Sequence, residues 1–426
     1  MSSPQIIIVG GGAAGFFAAI TCAEAAPGTR ILLLEKGPQF LTKVRISGGG
    51  RCNVTHACFD PRELATRYPR GERALIGLFK RFQPQDTIDW FDARGVGLKT
   101  EADGRMFPTT DSSQTIIDCL VRAARNAGVE LRNNCSVASV GRRQEGGFDL
   151  VLTNGEGLAC EGLLLATGGC RAATVGQLIS SLGHTVEPPV PSLFTFHIEA
   201  EWLRALPGIS VGMVEASVPG TGLRERGPLL VTHWGLSGPV VLRLSAWGAL
   251  ELAARAYRFP LQINWLPQLS STALGAEFQQ RKQKTPARTI VNSPVSPLPA
   301  RLWEQLVLLS GIKPTARWAE VSAAALHGLI LQLTRTELPV TGKSLNKEEF
   351  VTCGGVRLGE VDFRTMESRV CPGLYLAGEL LDMDGITGGF NFQACWTTGW
   401  IAGRAMASGT RRPHHAPDEV APGEAD

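Results

Sequence analysis

Several features that would point to a particular class of protein are missing from this 426-residue sequence. Its ten cysteines contain no C-x-x-C pair, and no second ligand pair follows Cys52, His56 and Cys58 at zinc-site spacing, so we expect no metal site. Thiols scattered in this way are typical of the reducing cytosol. No apolar run exceeds strand length and no basic leader precedes the first one. The sequence therefore predicts a cytoplasmic protein with neither a signal peptide nor a membrane span.

An excess of one charge is also missing. Lysine and arginine total 42 against 39 acidic residues, and a net charge of +3 does not by itself require a nucleic acid or an anionic membrane as partner. The hydrophobic fraction of 44% is ordinary for globular proteins, and the length allows two or three domains. There is no internal repeat.

One motif stands out at the start of the chain. The apolar run Ile6–Val9 predicts a buried strand, and Gly10, Gly12 and Gly15 then occupy the glycine positions of G-x-G-x-x-G ahead of an alanine-rich helix. The next apolar run ends at Glu35, about 20 residues past the last glycine. A structural glycine turn is the alternative, but the strand, helix and acid together favour a dinucleotide site. An acid at this position favours FAD or NAD over NADP.

The pattern of predicted strands, helices and turn residues divides the rest of the chain into segments. Strands and helices alternate up to about Pro188, where VEPPVPSL is predicted to be a linker or crossover. Short strands then predict a small antiparallel barrel or sheet: Leu193–Ile198, Val211–Val218, Leu229–Thr232, Val240–Leu244 and Arg258–Ile263. A helical pattern follows, and Glu349–Cys353 returns to strand. A final helix is expected over Phe392–Ala407, ahead of a polar tail that we expect to be disordered.

These changes predict a nucleotide-binding domain interrupted by an insertion. Its first part covers residues 1–189 and its second part residues 354–410. The barrel covers residues 190–267 and returns near 336–353, a helical insert covers 268–335, and the tail covers 411–426.

Four long motifs resemble one family. They are VRISGGGRCNVTH (Val44–His56), LLLATGG (Leu163–Gly169), the segment Gly227–Ser245, and the segment Gly373–Gly403. They are similar to the signatures of BaiN/YhiN-type flavoproteins, also known as aminoacetone-oxidase-family FAD-binding enzymes. The resemblance implies an α/β fold with a Rossmann-like, glutathione-reductase-like FAD-binding domain, an inserted β-barrel domain and a small helical insert.

The resemblance also implies an FAD-dependent oxidoreductase, with three kinds of reaction among its members. These are reduction of carbon–carbon double bonds in bile acids, oxidation of aminoacetone, and formation of dihydrouridine in ribosomal RNA. We expect NAD(P)H-driven reduction of an electron-poor C=C bond in a small molecule, with an oxygen-using amine oxidase and an enzyme acting on ribosomal RNA as alternatives. Because no second G-x-G-x-x-G unit with a strand before it and a helix after it is present, either NAD(P)H binds transiently at the flavin face or another donor is used. No histidine or cysteine stands in a covalent attachment motif, so FAD is expected to be non-covalent.

The motifs and the resemblance together name the residues expected to contact FAD. They are Gly10, Gly12, Ala14, Gly15, Glu35, Lys36, Arg51, Cys52, Asn53, Val137, Ala166, Thr167, Gly168, Gly378, Glu379, Gly388, Gly389, Phe390 and Asn391. The glycine triplet before Arg51 carries an entropic cost that close approach to a flat ligand would explain. The glycines before Asn391 open the last helix, whose positive end suits a reduced flavin.

The catalytic residue is not identified by the sequence. Cys52 could be a nucleophile, although no activating partner can be assigned and a small packing residue beside the flavin is the alternative. His233 could donate a proton, although a histidine beside a tryptophan also fits a packed position. Two basic clusters could contact RNA phosphates or simply form solvated helix faces: Arg67, Arg70, Arg73, Lys80 and Arg81, and Arg281, Lys282 and Lys284.

Overall fold

A computed structural model describes residues 5–170, 172–344 and 351–409 of the chain. Its strands are β1 (Ile6–Val9), β2 (Ile31–Leu34), β3 (Thr55–His56), β4 (Leu98–Thr100), β5 (Arg105–Pro108), β6 (Glu130–Arg132), β7 (Val137–Arg142), β8 (Phe148–Leu152), β9 (Gly157–Cys160), β10 (Gly162–Leu165), β11 (Val186–Ser192), β12 (Thr195–Ile198), β13 (Ser210–Ser217), β14 (Arg224–Thr232), β15 (Gly235–Ser237), β16 (Phe259–Asn264), β17 (Thr336–Ser344), β18 (Val351–Val356), β19 (Val361–Asp362), β20 (Glu367–Ser368) and β21 (Leu374–Leu376).

The helices are α1 (Ala13–Ala25), α2 (Thr42–Gly50), α3 (Pro61–Ala65), α4 (Glu72–Phe79), α5 (Pro84–Asp92), α6 (Ser113–Asn126), α7 (Ala173–Ser181), α8 (Glu201–Arg204), α9 (Pro239–Trp247), α10 (Ala249–Ala254), α11 (Ser271–Lys284), α12 (Ala300–Leu309), α13 (Ala323–Arg335) and α14 (Phe390–Gly409). Short 3-10 turns lie at Leu358–Glu360 and Gly378–Leu380. Among the described residues, no helix is both long and apolar enough to span a membrane.

A seven-stranded sheet in the order β19-β20-β21-β10-β1-β2-β6 forms the centre of the first domain. The strands from β21 to β6 run parallel. Every residue of β1 and β2 is buried, as expected for parallel strands that are covered on both faces. The carboxyl ends of β1, β2 and β10 therefore meet at one edge of the sheet, where open α/β sheets bind their ligands.

Helices α1 and α14 are in close backbone contact on this sheet. A Cβ at Gly399 would lie 2.4 Å from the carbonyl oxygen of Ala14, and a Cβ at Gly403 would lie 2.5 Å from that of Ala18. Only glycine permits that approach. The contact brings the C-terminal part of the chain against the helix that follows the N-terminal glycine loop.

The second domain contains a closed barrel in the order β12-β15-β14-β13-β16-β17. Its core is separate from the core of the sheet and continues into the apolar faces of α11, α12 and α13. The predicted fold class, a Rossmann-like domain with an inserted barrel and a helical insert, is confirmed by this architecture. The domain limits given above stay predictions.

Two local predictions were wrong. Val240–Leu244 was expected to be a strand but lies in α9, where Pro239 occupies the first turn and Val240, Val241 and Leu244 are buried at helical spacing. The segment VEPPVPSL was expected to be a linker or crossover, and the linker interpretation is wrong because Val186–Ser192 forms β11, which pairs with β18. Its two adjacent prolines fall at the break in register between Glu187 and Val190, where no ladder hydrogen bond is lost.

Some predicted features lie at the border of the described structure. The glycine triplet before Arg51 closes α2, which leaves helical geometry at Ser47, Gly48 and Gly49. The strand predicted over Glu349–Cys353 begins at Val351 in the described chain, and positions 349 and 350 lie outside it. The tail predicted over 411–426 also lies outside the described residues.

Arg70 links the two domains. Its guanidinium forms an ion pair with the fully buried Asp384, with Nε 2.6 Å from Oδ1, and donates to the carbonyl oxygen of Ala246 in α9 at 2.6 Å. The hydroxyl of Ser192, at the end of β11, donates to the same carboxylate at 2.6 Å. The expectation that Arg70 contacts an RNA phosphate is therefore wrong, because its guanidinium is already engaged inside the protein.

We predict that Arg70→Ala destabilises the protein by about 3–5 kcal/mol, because it leaves the carboxylate of Asp384 buried without its cation. Urea unfolding measures the loss. Arg67→Ala is the control: Arg67 forms only an exposed helix pair with Glu63 at 3.3 Å, worth about 0.3–0.5 kcal/mol. Equal destabilisation by the two substitutions would contradict the role given to the buried pair.

Candidate cofactor site

The three glycines of the first loop meet different surroundings. Gly10 has φ +117°, and a Cβ there would lie 2.2 Å from the carbonyl oxygen of Ala166. A Cβ at Gly15 would lie 2.0 Å from the carbonyl oxygen of Gly10. A Cβ at Gly12, in contrast, would meet no atom within 4 Å. The protein itself thus requires glycine at positions 10 and 15, whereas the space beside Gly12 is open, as the predicted approach of a pyrophosphate needs.

Glu35 is oriented by the backbone around it. Its two carboxylate oxygens accept hydrogen bonds from the N–H groups of Gly11 and Gly37, each at 2.8 Å. These bonds hold the carboxylate beside the glycine loop and leave further lone pairs for a ribose hydroxyl. The N–H of Cys135 donates to the carbonyl oxygen of Glu35 at 2.8 Å, which brings the start of β7, at Val137, near the same edge. Lys36 is exposed.

The loop from Ser47 to Asn53 is built on left-handed glycines. Gly48, Gly49 and Gly50 have φ values of +58°, +69° and +84°. A Cβ at Gly49 or Gly50 would meet nothing within 4 Å, so open space lies over this part of the loop. As at Gly12, the backbone is accessible to a flat ligand.

Arg51 is held by partners that the sequence did not suggest. Its guanidinium lies 4.0 Å from the ring centroid of Phe107 and donates to Glu101 at 2.7 Å. Phe107 also contacts the loop, because a Cβ at Gly48 would lie 3.0 Å from its ring. In this arrangement Arg51 fixes the loop against β5, and its contact with the cofactor stays a prediction.

Cys52 is an unsuitable nucleophile. It is completely buried at φ +62°, and its burial raises the pKa of the thiol to about 12. A thiol that stays protonated near neutral pH attacks slowly. Its position between the glycines and Asn53 fits a small packing residue.

The flavin-facing turn predicted at the start of α14 is linked to the same loop. The side-chain amide of Asn53 lies between two backbone groups and satisfies both in one orientation, with its nitrogen 3.1 Å from the carbonyl oxygen of Thr55 and its oxygen 3.0 Å from the N–H of Gly389. Asn391 makes two 2.8 Å hydrogen bonds to the backbone of Gly385, which closes the turn. Gly388 has φ +133°. The N–H groups of the first helical turn therefore sit beside the Ser47–Asn53 loop.

Glu379 lies beside the segment Ala166–Gly168, which follows β10 and is predicted to pass near the cofactor. One carboxylate oxygen accepts from the N–H of Thr352 at 2.9 Å, and the other pairs with Lys43. A Cβ at Gly168 would lie 3.8 Å from that second oxygen, so the Ala166–Gly168 segment and Glu379 are adjacent. Sequence reasoning missed Lys43, which precedes the glycine triplet on α2 and is distant from Glu379 in the chain.

Two further observations join these segments. Gly378 has φ +74°, and a Cβ there would lie 2.9 Å from the Cβ of Ala14. The hydroxyl of Thr167 is buried and has no hydrogen-bond partner among the described residues. An orphaned hydroxyl, an open glycine turn and a helix N-terminus fit a dinucleotide with a pyrophosphate and several hydroxyl groups. The residues present thus fit FAD.

The structure places the two histidines considered above, His233 and His56, in surroundings that differ from those expected. His233 lies in the exposed two-residue turn between β14 and β15, so the packed position considered for it is wrong. His56 was considered only as a metal ligand, yet its ring stacks on Phe390, with centroids 4.7 Å apart. Burial lowers the pKa of His56, and its Nδ1 is buried without a partner among the described residues. The only sequence signal was its position three residues after Asn53.

Together the fold and these segments define an FAD-dependent oxidoreductase with a Rossmann-type cofactor domain. The chain belongs to the HI0933-like family, whose Rossmann-domain description matches residues 4–405.

Two curated relatives match along nearly their whole length. A ribosomal RNA dihydrouridine synthase of Escherichia coli (strain K12) is 34% identical, over 94% of this chain and 97% of its own. A 3-dehydro-bile acid delta(4,6)-reductase of Clostridium scindens is 29% identical, over 95% of this chain and 99% of its own.

Solved structures share the fold. A flavocytochrome c3 fumarate reductase aligns with a TM-score of 0.51 at 17% identity, over 96% of this chain and 79% of its own. A 3-ketosteroid-delta4-(5alpha)-dehydrogenase from Rhodococcus jostii RHA1 aligns with a TM-score of 0.50 at 15% identity, over 95% of this chain and 96% of its own.

We predict that Gly12→Val abolishes FAD binding and leaves the protein folded, because a side chain there meets only the space reserved for the ligand. Gly15→Val is the contrasting variant: its side chain would clash with the carbonyl oxygen of Gly10, so it should unfold the domain as well. Heat release followed by chromatography measures bound FAD, and circular dichroism measures folding. Full FAD occupancy in Gly12→Val would refute this assignment of the loop.

We predict that Cys52 resists alkylation in the folded protein. With a pKa of about 12, roughly one thiol in ten thousand is ionised at pH 8, and burial adds a steric barrier. Iodoacetamide labelling followed by peptide mass spectrometry tests this, with the partly exposed Cys135 as the labelled reference. Rapid loss of activity with label on Cys52 would restore it as a catalytic candidate.

Proposed function

We propose that this protein uses FAD to reduce a carbon–carbon double bond conjugated to a carbonyl group, with NAD(P)H as a transient donor. The observation that carries the proposal is the pair of nearly full-length relatives. One is named for making dihydrouridine and the other for reducing a bile acid at its 4,6 positions. Dihydrouridine is uridine whose pyrimidine C=C bond has been reduced, and that bond is conjugated to a carbonyl. The two names therefore describe one class of reaction.

The residues around the glycine segments would hold the cofactor. Gly12 and the N-terminus of α1 would receive the pyrophosphate, Glu35 the adenosine ribose, and Glu379 the ribitol chain. The N–H groups that open α14 after Gly389 would stabilise negative charge on the flavin ring. Bound FAD supplies the hydride chemistry.

Reduction of a C=C bond adds a hydride to one carbon and a proton to the other. That proton must come from a group that is protonated at working pH. His56 lies beside the turn at Gly388, but burial lowers the pKa of its ring and so favours the neutral form. A neutral imidazole can carry one proton at a chosen nitrogen, and the hydrogen bond from Nε2 to the carbonyl oxygen of Asp103, 3.1 Å away, places it there. His56 thus packs against Phe390 beside the proposed flavin position, and we do not propose it as the proton donor.

Ribosomal RNA is the substrate class that the 34% identical relative favours, and a small conjugated ketone is the class favoured by the 29% identical one. The amine oxidase alternative has no such relative among those described above. Uridine in RNA and an unsaturated ketone present the same acceptor to the flavin, so the difference between them lies in how the rest of the substrate is bound.

We predict that NADH or NADPH reduces the flavin anaerobically and that a conjugated enone or a uridine-containing RNA reoxidises it faster than oxygen does. Stopped-flow absorbance follows both half-reactions, and nucleoside mass spectrometry detects dihydrouridine. Free FAD under the same conditions is the control. Reduction by an amine together with rapid reoxidation by oxygen would show an oxidase and sink the proposal.

A further inference from the structure

The net positive charge of the chain is concentrated in one stretch. Residues 59–81 carry six arginines and lysines against three carboxylates, a net charge of +3 that equals the formal net charge of the whole chain. The rest of the sequence is balanced. This stretch contains α3, α4 and the residues on either side of them.

The structure separates the basic residues of this stretch into two groups. Arg67 pairs with Glu63, Arg70 pairs with Asp384, and Arg81 donates to the carbonyl oxygen of Arg364. The exposed side chains of the other group make no ion pair or hydrogen bond within the described chain; they are Arg62, Arg73 and Lys80. The side chains of this second group have no ion pair or hydrogen bond among the described residues to give up when they bind an external anion.

Two of the available cations lie on one face of α4. Arg73, Gly77 and Lys80 follow at spacings of four and three residues along the exposed side, while Leu75 and Leu78 are buried on the other. The two cations are therefore about 10 Å apart along the helix axis. We call these three residues, together with Arg62 on α3, the basic strip.

Gly77 has no structural reason to be glycine. It is exposed in the middle of α4, and a Cβ there would meet nothing within 4 Å. A glycine inside a helix is about 1 kcal/mol less favourable than alanine. Because no neighbour in the protein occupies the space, the helix surface at Gly77 is open to the close approach of an external backbone.

The basic strip begins at the cofactor site. A Cβ at Gly71, which caps α4, would lie 2.7 Å from the Cβ of Met383. The hydroxyl of Tyr68 donates to the carbonyl oxygen of Phe390 at 2.6 Å. The N–H of Ile386 donates to the carbonyl oxygen of Arg67 at 2.9 Å. The turn that leads into α14 is thus directly attached to the start of α4. A chain lying along the strip would arrive at this turn.

We propose that the basic strip binds the phosphodiester backbone of a single RNA strand and guides one of its nucleotides to the flavin. Arg62, Arg73 and Lys80 contact phosphates, and Gly77 lets the strand lie against the helix. The exposed ring of Phe59, 46% accessible and next to α3, offers a surface for stacking a base. The proposal rests on the RNA form of the proposed function.

The basic cluster of the helical insert is a poorer RNA surface. Arg281 donates to the carbonyl oxygen of Ser293 and pairs with Glu277, and Lys282 donates to that of Val321 at 2.8 Å. These contacts lie inside the insert, so Arg281 and Lys282 would have to give up internal partners to contact phosphates, and that possibility stays untested. Lys284 is exposed, without the neighbouring cations that would make a strip.

Binding of a fluorescein-labelled oligouridylate to the full-length, FAD-loaded protein tests the proposal. The double variant Arg73→Gln, Lys80→Gln should weaken binding roughly tenfold and reduce the log–log salt slope by about 1.4, or about 0.7 for each lost contact. The matched control is Lys284→Gln, Lys313→Gln, two exposed lysines of the insert, which should bind like the wild type.

Gly77→Gln provides a test that does not alter charge. Glutamine favours helix, so the melting temperature should stay level or rise, while its side chain occupies the space over α4 and should weaken binding. FAD content and circular dichroism confirm that each variant is folded. Wild-type affinity and salt slope in the double variant, or equal losses in the control pair, would overturn the proposal.

The two proposals fail separately. If the wild-type protein reduces a conjugated enone but does not bind the oligouridylate, the basic strip is wrong and the proposed reaction stands. If the strip variants lose RNA binding but neither enone nor uridine is reduced, the strip stands and the proposed reaction is wrong.

Discussion

The close contact between α1 and α14 is the constraint on which the cofactor site depends. The carbonyl oxygens of Ala14 and Ala18 in α1 lie only 2.4 and 2.5 Å from where Cβ atoms on Gly399 and Gly403 would be. With α14 seated in this way, its N-terminal turn lies beside the Ser47–Asn53 loop, where Asn53 accepts from the N–H of Gly389. Any larger residue at Gly399 or Gly403 would separate the helices and open the site.

The same dependence explains which parts of the site could be predicted. The glycine loop and Glu35 were found because their residues are close in sequence and each step has a local physical reason. Arg70 could not be told apart from Arg73, because its partner Asp384 lies 314 positions away and only the fold brings the two together. Val240–Leu244 was misread because a short apolar run fits both strand and helix, and burial at helical spacing settles it. Lys43 and Phe107 gave no sequence signal at all.

The same flavin chemistry can reduce different C=C substrates, so the choice of substrate must depend on residues other than those that hold the flavin. In this protein the cofactor segments combine glycine backbone with a few polar side chains such as Glu35 and Glu379, and these groups suit the cofactor whichever substrate is used. If the basic strip binds RNA as proposed, the side chains that distinguish RNA from a small ketone lie on α3 and α4, outside the Rossmann core. Related chains could therefore change substrate by altering a few surface residues without disturbing the flavin.

The α1–α14 contact also bears on the order of folding. The barrel and the insert lie between the two helices in the chain, so 364 residues separate the end of α1 at Ala25 from the start of α14 at Phe390. Closing so long a loop costs conformational entropy before the contact between the helices can offset it. We therefore expect the segments around the cofactor site to come together late in refolding.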